Sequence, residues 1–538
     1  MNLRPSTLAH LPSKHSALQA VSIRRTNAGR KIGREVNFTA ALAAAALIAV
    51  VLQAALGTPV DVIVLAVFAV SATLLGFVAL GPYNIGSWVS LFYGVGNILV
   101  AIYAKTLFGQ RLDTYLEAPQ HSFLVVAVTS CALLAALIIV KPIPLGKPLF
   151  QRVSHPPFLS FLSWICFVLG IIFWFINRSF QDPTGSGFGG VALFRDLLIM
   201  AVIARTALLL ERSALQRSFD LRLGAVFVVC VALGVIDNQK AVAALPIVSH
   251  VVTVFFYRRT IPLRTAALTL AAWIVFALVV APMIHGLRAL GQQDLTISER
   301  VDLVTSTVVR VAQTPREFED LKFIGAAQFE DGYYNYFGGN GAGQMLLGRY
   351  ASVQQIDPVI AAVNRRGPQG SDALWPSVTR LAPSFIYPDK PEFIAAYTTL
   401  VYYGLIDPAG GKYPSLPLAG QAVAAYGTLG LVTVPVLTFV AFVLVAKKWG
   451  WDLYQNVYAV FFLCDFVIVY ISQGDFGQYA GAILRNFPLF ALTFWLIQKL
   501  FEVAIAPLPE MRTSILADPV GRRPTPASAA NQHGYRLP

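Results

Sequence analysis

Long apolar runs separated by short polar connections are the feature that most limits how this chain can fold. Of the 538 residues, 56% are hydrophobic and only 13% are charged. An apolar run of about 20 residues matches the hydrocarbon thickness of a bilayer, where backbone polar groups must be paired within a helix. The sequence therefore predicts an all-α integral membrane protein and argues against a water-soluble globular domain.

We predict about twelve transmembrane helices from runs of near-membrane length. The seventh and eighth runs are short and are joined by the tight turn DNQK, so one re-entrant hairpin is the alternative for that pair. Because two spans would be lost together, the orientation of the later spans is the same in both cases. The twelve runs are 37–57, 60–80, 87–108, 122–140, 157–177, 189–210, 220–236, 241–257, 265–284, 418–446, 454–472 and 486–506.

Lys and Arg residues concentrate in alternate connections, which predicts how the spans are oriented. With the N-terminus in the cytoplasm, the predicted inner connections are rich in cations and the short outer ones carry far fewer, as the positive-inside rule requires. The net charge of +13 thus reflects topology, and we expect no nucleic-acid partner. The predicted inner connections are 81–86, 141–156, 211–219, 258–264 and 447–453, of which 81–86 alone lacks charge.

This orientation divides the chain into five parts and places both termini in the cytoplasm. Segment 285–417 lies outside, and its length predicts an ordered, mainly helical periplasmic loop domain. The four cysteines lie far apart in apolar runs and no metal or nucleotide motif occurs, so we expect no disulfide, metal or cofactor. The other parts are a basic tail, 1–36, transmembrane helices 1–9 in 37–284, transmembrane helices 10–12 in 418–506, and a disordered tail, 507–538.

The loop domain is predicted to contain two helices and two aromatic segments. The first helix, SERVDLVTSTVVRVAQTPREFEDL, has Val301, Val304, Val308 and Val311 on one side. The second helix is LLGRYASVQQIDPVIAAVNRRG. The aromatic segments DGYYNYF and PSFIYPD suit stacking against apolar sugar faces, although Tyr also collects at membrane interfaces without any ligand.

Several cations fall on the outer side, where the topology rule makes them uncommon. A guanidinium binds phosphate through two parallel hydrogen bonds and keeps its charge at any relevant pH, so these residues are candidate phosphate ligands. The alternative is that they pair with nearby acids and stabilise the loop fold. The residues are Arg349, Arg365, Arg366, Arg380, Lys390 and Arg485.

Arg195 is predicted to lie about two helical turns inside the outer end of the sixth span. A charge at that depth is costly unless it faces a cavity or a partner. Asp196 follows it, but adjacent residues of an α-helix do not face each other. Arg195 is therefore a candidate ligand for a headgroup at the membrane boundary, and a salt bridge to Asp465 of the eleventh span is the alternative.

Acidic residues and one histidine in the outer segments are the candidates for acid–base chemistry. Joining a sugar hydroxyl to an anomeric carbon requires a base on the acceptor and charge stabilisation on the departing group. The residues alone do not select one candidate. The candidates are Asp372, Asp389, Glu392, Asp407, Asp475 and His285.

Four motifs between about residues 340 and 490 carry a family resemblance. GRYASVQQIDPVI places Arg349 at a loop arginine, and GDFGQYAGAILRN places Arg485 at a late arginine. LAPSFIYPDKP is similar to a Pro-Arg-aromatic-Trp-Pro-x-Lys-Pro pattern, but Ser384 stands where that pattern has arginine, and Arg380 lies one turn earlier. PLAGQAVAAYGTLGLVTV is also similar to the segment that enters the next span. The chain thereby resembles the bacterial O-antigen and exopolysaccharide repeat-unit polymerases.

This resemblance implies a membrane glycosyltransferase in the bacterial inner membrane. Such an enzyme transfers a growing glycan from undecaprenyl pyrophosphate onto a lipid-linked repeat unit at the outer face. Its partners would be that lipid-linked oligosaccharide, membrane lipid and a chain-length regulator protein. On this interpretation Arg195, Arg349, Arg380, Lys390 and Arg485 bind pyrophosphate, and Asp389 or Glu392 is the catalytic base.

Three other functions fit parts of the pattern. An O-antigen ligase shares the topology and the donor. A flippase of lipid-linked oligosaccharides would require paired broken helices, and the sequence shows no inverted repeat. A glycosyltransferase that uses lipid monophosphate sugars would carry acidic residues in a sizeable first outer loop, whereas the loop here, around GTPVD, is short.

The orientation can be tested with epitope tags in intact cells. A tag inserted beside Gly370 should be accessible from outside, because 285–417 is predicted to be periplasmic. A tag inserted within 211–219 is the matched control, and it should become accessible only after the membrane is permeabilised. A cytoplasmic tag at Gly370 would contradict the predicted topology.

Overall fold

The computed structural model describes eleven stretches of the chain, two of which are single residues. All elements in the described residues are helices or the connections between them, which confirms the all-α class. The described residues are 40–179, 192–237, 239–289, 295, 297–314, 336–338, 351–382, 387, 395–406, 416–471 and 474–505.

The helices of the described ranges match the predicted runs closely. Eight of them are long and apolar enough to cross a membrane, which confirms a multi-pass membrane protein. These eight are Val60–Leu80, Ile85–Leu107, Pro119–Val140, Pro156–Arg178, Lys240–Arg258, Leu263–Val280, Leu418–Gly450 and Phe476–Ala504. The apolar helices Ala40–Ala55, Leu221–Ile236 and Val457–Ile471 are shorter, and a 3₁₀ turn, Ala192–Asp196, precedes Leu197–Arg212, so twelve crossings remain a prediction. The helices are α1 Ala40–Ala55, α2 Val60–Leu80, α3 Ile85–Leu107, α4 Pro119–Val140, α5 Pro156–Ser179, α6 Leu197–Arg212, α7 Leu221–Ile236, α8 Lys240–Arg258, α9 Leu263–Val280 continued by Ala281–Ala289, α10 Ile297–Gln313, α11 Val353–Arg366, α12 Trp375–Thr379, α13 Ala395–Tyr402, α14 Leu418–Gly450, α15 Val457–Ile471 and α16 Phe476–Ala504.

Helix α15 occupies the centre of the bundle. It packs against α3, α6, α8 and α14, and its residues from Val457 to Val467 are buried on every side. Trp449 at the end of α14 is fully buried among aromatic rings from three elements, with Phe150 and Phe487 at ring distances of 4.7 and 5.6 Å. The outer helices instead expose large apolar side chains, as lipid-facing helices do.

The predicted inner connections meet at one end of the bundle, here called the cationic end. The Leu453 N–H donates to the Tyr83 carbonyl, and the Leu149 N–H donates to the Lys448 carbonyl. Lys447 Nζ donates to three backbone carbonyls that follow α4, at 2.7–2.9 Å. Arg259 lies over the Tyr454 ring at 4.1 Å. Cations thus hold the orphan carbonyls of helix ends as well as setting the predicted topology.

At the opposite end, residues 351–382 are built into the bundle. The Ser352 N–H and hydroxyl both contact the Gly96 carbonyl, at 3.1 and 2.7 Å. Gly96 lies midway along α3, in a π turn, Val95–Leu99, that disturbs the ordinary ladder and leaves this carbonyl able to accept. The start of α11 therefore reaches the interior, and the predicted loop domain is not confined to the surface.

Asp357 joins α11 to the beginning of α4. Its carboxylate accepts hydrogen bonds from the Glu117 and Ala118 backbone N–H groups, at 2.6 and 2.9 Å, and from the Ser122 hydroxyl at 2.7 Å. The two N–H groups belong to the residues that lead into α4, and the hydroxyl belongs to its first turn. Asp357 thus fastens α11 to the start of α4.

The predicted span 418–446 lies within a long apolar helix that is interrupted near its start. Tyr426 and Gly427 have non-helical backbone angles, with φ of +60° at Gly427, a conformation that favours glycine. A Cβ atom at Gly430 would lie 2.0 Å from the Ala422 carbonyl oxygen, so residues 418–425 turn back against the longer part of α14. The N–H groups of Gln369 and Gly370 bond to the carbonyls that end this short, buried helix.

Two residues of the aromatic segment DGYYNYF have a structural role. Tyr336 and Phe337 are each 1% exposed, which leaves no face of either ring for a sugar. Lys105 Nζ lies 4.1 Å from the Tyr336 ring centre and donates to Thr114 Oγ1 at 2.8 Å. The expected sugar stacking is therefore wrong for these two rings, which surround a buried cation instead. Tyr333 and Tyr334 lie outside the described residues.

The predicted amphipathic helix is present as α10. Its buried side differs from the predicted valine stripe, because Val301 and Val308 are exposed, at 39% and 43%. Leu303 and Val304 pack instead against a small apolar cluster that includes Ile284. The side chain of Val311 lies outside the described residues.

Asp357→Asn should destabilise the protein. The amide cannot accept hydrogen bonds at both positions, so a backbone N–H of residue 117 or 118 loses its partner, at a cost of about 1–3 kcal/mol. The thermal unfolding midpoint in detergent measures this loss. Asp372→Asn is the matched control, since Asp372 is exposed, and equal midpoints for the two variants would contradict the role of Asp357.

Candidate functional site

The structure describes three of the seven predicted site residues. These are Arg195, Arg380 and Arg485, and all three lie at the end of the bundle opposite the cationic end. The predicted ligands Arg349 and Lys390 and the predicted bases Asp389 and Glu392 lie outside the described residues.

Arg380 and Arg485 come together from different parts of the sequence. Arg380 follows α12, which packs on the beginning of α16, where Ser377 lies so close to Gly477 that an added Cβ would be 2.7 Å from its hydroxyl. Arg485 lies one to two turns farther along α16, within electrostatic range of Arg380. Burial lowers the pKa of the Arg380 guanidinium, and the second cation adds repulsion, so an anion here would be stabilising.

Arg485 lies in a π turn and has no carboxylate partner among the described residues. The turn is Ala482–Asn486, and the Arg485 Nε donates to the Asn486 side-chain oxygen at 3.0 Å. That amide also approaches the Tyr470 hydroxyl at 3.4 Å. Tyr470 lies within electrostatic range of both Arg485 and Arg195, which links the two arginines through α15.

Arg195 forms ion pairs that the sequence did not predict. Its guanidinium contacts Asp196 at 3.2 Å and Asp237 at 3.8 Å, and it donates to the Gln239 side chain at 2.6 Å. The expectation that Asp196 cannot face Arg195 is wrong, because Arg195 Nε and Nη2 donate to Asp196 Oδ1 at 3.3 and 3.2 Å. Both residues lie in a 3₁₀ turn that precedes α6. The alternative of a salt bridge to Asp465 is also wrong, since the two residues interact at longer range.

Asp237 is a residue of this cluster that sequence reasoning missed. It is 3% exposed in its side chain and accepts bonds from Arg178 Nε at 2.7 Å and Trp174 Nε1 at 2.8 Å. The sequence contains a feature that could have predicted this contact, because the turn DNQK and Arg178 both follow apolar runs on the same side of the predicted membrane. Arg178, Arg195, Asp196 and Asp237 together form a buried network that fixes the direction of the Arg195 side chain.

Two other outer arginines support the alternative of a purely structural role. Arg365 contacts Glu117 at 3.4 Å in an exposed pair, and Arg366 donates to the Tyr402 carbonyl at 3.2 Å. An exposed pair of this kind contributes little to stability. We therefore leave Arg365 and Arg366 out of the candidate site.

The acidic candidates also separate by their surroundings. Asp475 caps the start of α16, accepting the Gln478 N–H at 2.7 Å, and burial raises its pKa. Asp372 is exposed beside a 3₁₀ turn. Asp407 and the His285 side chain lie outside what the structure describes. Of the candidate bases whose side chains are described, Asp475 is a helix cap and Asp372 is exposed.

Comparisons with known proteins add no relative. No family model, no curated protein and no solved structure matches the chain. Within the described residues, no group of three or more His, Cys, Asp or Glu side chains is placed to hold a metal ion. The described part of the site therefore consists of arginines, carboxylates and a tyrosine.

Asp237→Asn should destabilise the fold severely. The change leaves buried Arg178 and Arg195 without a shared counter-charge, and breaking a buried ion pair costs about 3–5 kcal/mol. Denaturant unfolding in detergent measures the change in the free energy of unfolding. The matched control is Glu502→Gln in the exposed Lys499–Glu502 pair, for which we expect a loss below about 1 kcal/mol. Similar losses in both variants would contradict the buried network.

Proposed function

We propose that the protein is a polysaccharide polymerase of the inner membrane. It transfers a growing glycan from undecaprenyl pyrophosphate onto a lipid-linked oligosaccharide repeat unit at the outer face. No nucleotide sugar is required, because the donor sugar–pyrophosphate bond supplies the driving force. The cationic end of the bundle faces the cytoplasm in this proposal, and the end with Arg195, Arg380 and Arg485 faces outward.

The observation that carries the proposal is the meeting of Arg380 and Arg485. One comes from an extramembrane segment and the other from a transmembrane helix, and they lie within electrostatic range of each other. Two guanidiniums in a partly buried place repel, and a diphosphate offsets that repulsion with two charged phosphoryl groups. A polyprenyl diphosphate also matches the location, since its lipid lies in the bilayer and its headgroup at the boundary.

The arrangement would stabilise the leaving group of a glycosyl transfer. As the bond between the anomeric carbon and the diphosphate breaks, negative charge grows on the departing oxygen. Preorganised cations in a low-dielectric site lower the energy of that state more than water does. Arg195 is held by its ion-pair network at the same end of the bundle, and Arg349 and Lys390 are the predicted additional ligands of the diphosphate.

The proposal can be tested by sizing the glycan in cells and with purified protein. Deletion of the gene should abolish polymer and leave single-repeat products, whereas accumulation of full-length lipid-linked polymer would favour a ligase. Reconstituted protein should lengthen a synthetic undecaprenyl-diphosphate oligosaccharide. Failure to elongate a substrate that carries the native repeat unit would contradict the proposal.

Arg380→Ala, Arg485→Ala and Arg349→Ala should each reduce elongation without reducing membrane expression. Loss of one charge-assisted hydrogen bond to the diphosphate is expected to slow elongation at least about tenfold. Arg365→Ala is the matched control, because Arg365 is an exposed arginine of the same segment. Wild-type chain length in both Arg349→Ala and Arg485→Ala would show that the site assignment is wrong.

A further inference from the structure

Asp465 is a buried residue, and one of its carboxylate oxygens has no hydrogen-bond donor in the described part of the chain. The residue is 3% exposed, and its Oδ2 has no partner among the described residues. It forms no ion pair within those residues either, although Arg195 lies within electrostatic range. A buried acceptor without a donor is costly, so a proton or a ligand hydroxyl at this atom would offset a real penalty.

The backbone around Asp465 is also unusual. Leu463–Ile471 form a nine-residue π-helix, and such turns are rare and concentrate at functional sites. Because a π-helix closes its bonds at i+5, Asp465 and Tyr470 share one side of α15. The π turn of α16 that carries Arg485 lies beside them, through the contact between Asn486 and the Tyr470 hydroxyl.

The neighbouring carboxylates are already bound by other residues, whereas Asp465 Oδ2 has no partner within the described ranges, so Asp465 is the carboxylate that is available for chemistry. Asp196 is already bound by Arg195 at 3.2 Å, and Asp237 is held by Arg178 and Trp174. The titratable neighbours of Asp465 are Asp196 and Arg195 before α6, and Cys464 and Tyr470 on α15 itself. Asp465 thus lies among the candidate diphosphate ligands with its own acceptor unmet.

We propose, resting on the polymerase function above, that Asp465 is the catalytic base that deprotonates the acceptor sugar. The hydroxyl proton of the acceptor moves to Asp465 Oδ2, and the hydroxyl oxygen forms a bond to the donor anomeric carbon. The bond between that carbon and the diphosphate breaks at the same time. The leaving diphosphate takes the electron pair and is stabilised by Arg380 and Arg485.

This assignment differs from the bases expected from the sequence, Asp389 and Glu392. It places the base on the central helix of the bundle rather than in the extramembrane segment. A base must lie within hydrogen-bond reach of the proton that it removes. Asp465 offers an unmet acceptor within electrostatic range of Arg195 and Tyr470.

The test compares Asp465→Asn with wild-type protein in nanodiscs, using a synthetic undecaprenyl-diphosphate oligosaccharide. The amide keeps the size of the side chain but cannot take the proton, so elongation should fall about 100-fold or more while donor binding changes less than about twofold. Asp465→Glu, which keeps the base, should retain more activity than Asp465→Asn. Asp475→Asn is the matched control, because Asp475 is a buried carboxylate that caps a helix.

Several outcomes overturn the assignment. Active wild-type protein together with an equally active Asp465→Asn variant would remove Asp465 as the base and leave the polymerase function standing. Loss of donor binding in Asp465→Asn would show a structural role. Inactive wild-type protein would end both proposals.

A measurement on the unmodified protein covers the case in which the variant does not fold. The elongation rate of wild-type protein should rise with pH as the base loses its proton and then level off. A rate that stays flat over the whole pH range in which the protein remains folded would overturn the assignment.

Discussion

Polar groups inside a membrane protein must find hydrogen-bond partners within the protein, because lipid tails offer no donors or acceptors. This constraint joins the extramembrane segment 351–382 to the bundle. The π turn of α3 leaves the Gly96 carbonyl able to accept, and Ser352 occupies it. Residues 117 and 118, which lead into α4, donate their N–H groups to the Asp357 carboxylate. Each contact satisfies a transmembrane helix with a group from residues 351–382. The segment is therefore part of the core rather than a cap placed on top of it.

Much of the fold was predictable, because apolar runs and cation placement are local features of the sequence. The twelve predicted runs each contain a helix in the described ranges, and the predicted inner connections meet at one end. The turn at Tyr426 and Gly427 was not predictable from apolarity, since residues 418–425 are as apolar as a span. The burial of Tyr336 and Phe337 was missed for a similar reason: their partner, Lys105, lies more than two hundred residues away in the sequence.

The candidate site shows which inferences need three dimensions. The sequence selected Arg380 and Arg485 as cations on the outer side and Arg195 as a charge inside a span, and the structure gathers all three at one end of the bundle. The sequence did not pair Arg195 with Asp237, because that contact depends on a 3₁₀ turn at one helix start and a tight turn between two others. Asp465 looked like a simple counter-ion in the sequence, whereas in the fold other acids bind Arg195 and leave Asp465 Oδ2 unmet.

The central position of α15 has a consequence for biosynthesis. Of the helices it packs against, α3, α6, α8 and α14 all precede it in the chain. During synthesis those helices enter the bilayer before the helix that fills the space between them exists. We therefore expect the nascent bundle to stay incompletely packed, with lipid or an insertase in its middle, until residues 457–471 arrive. A stalled chain that lacks this helix would present a hollow, incompletely packed intermediate to membrane quality-control proteases.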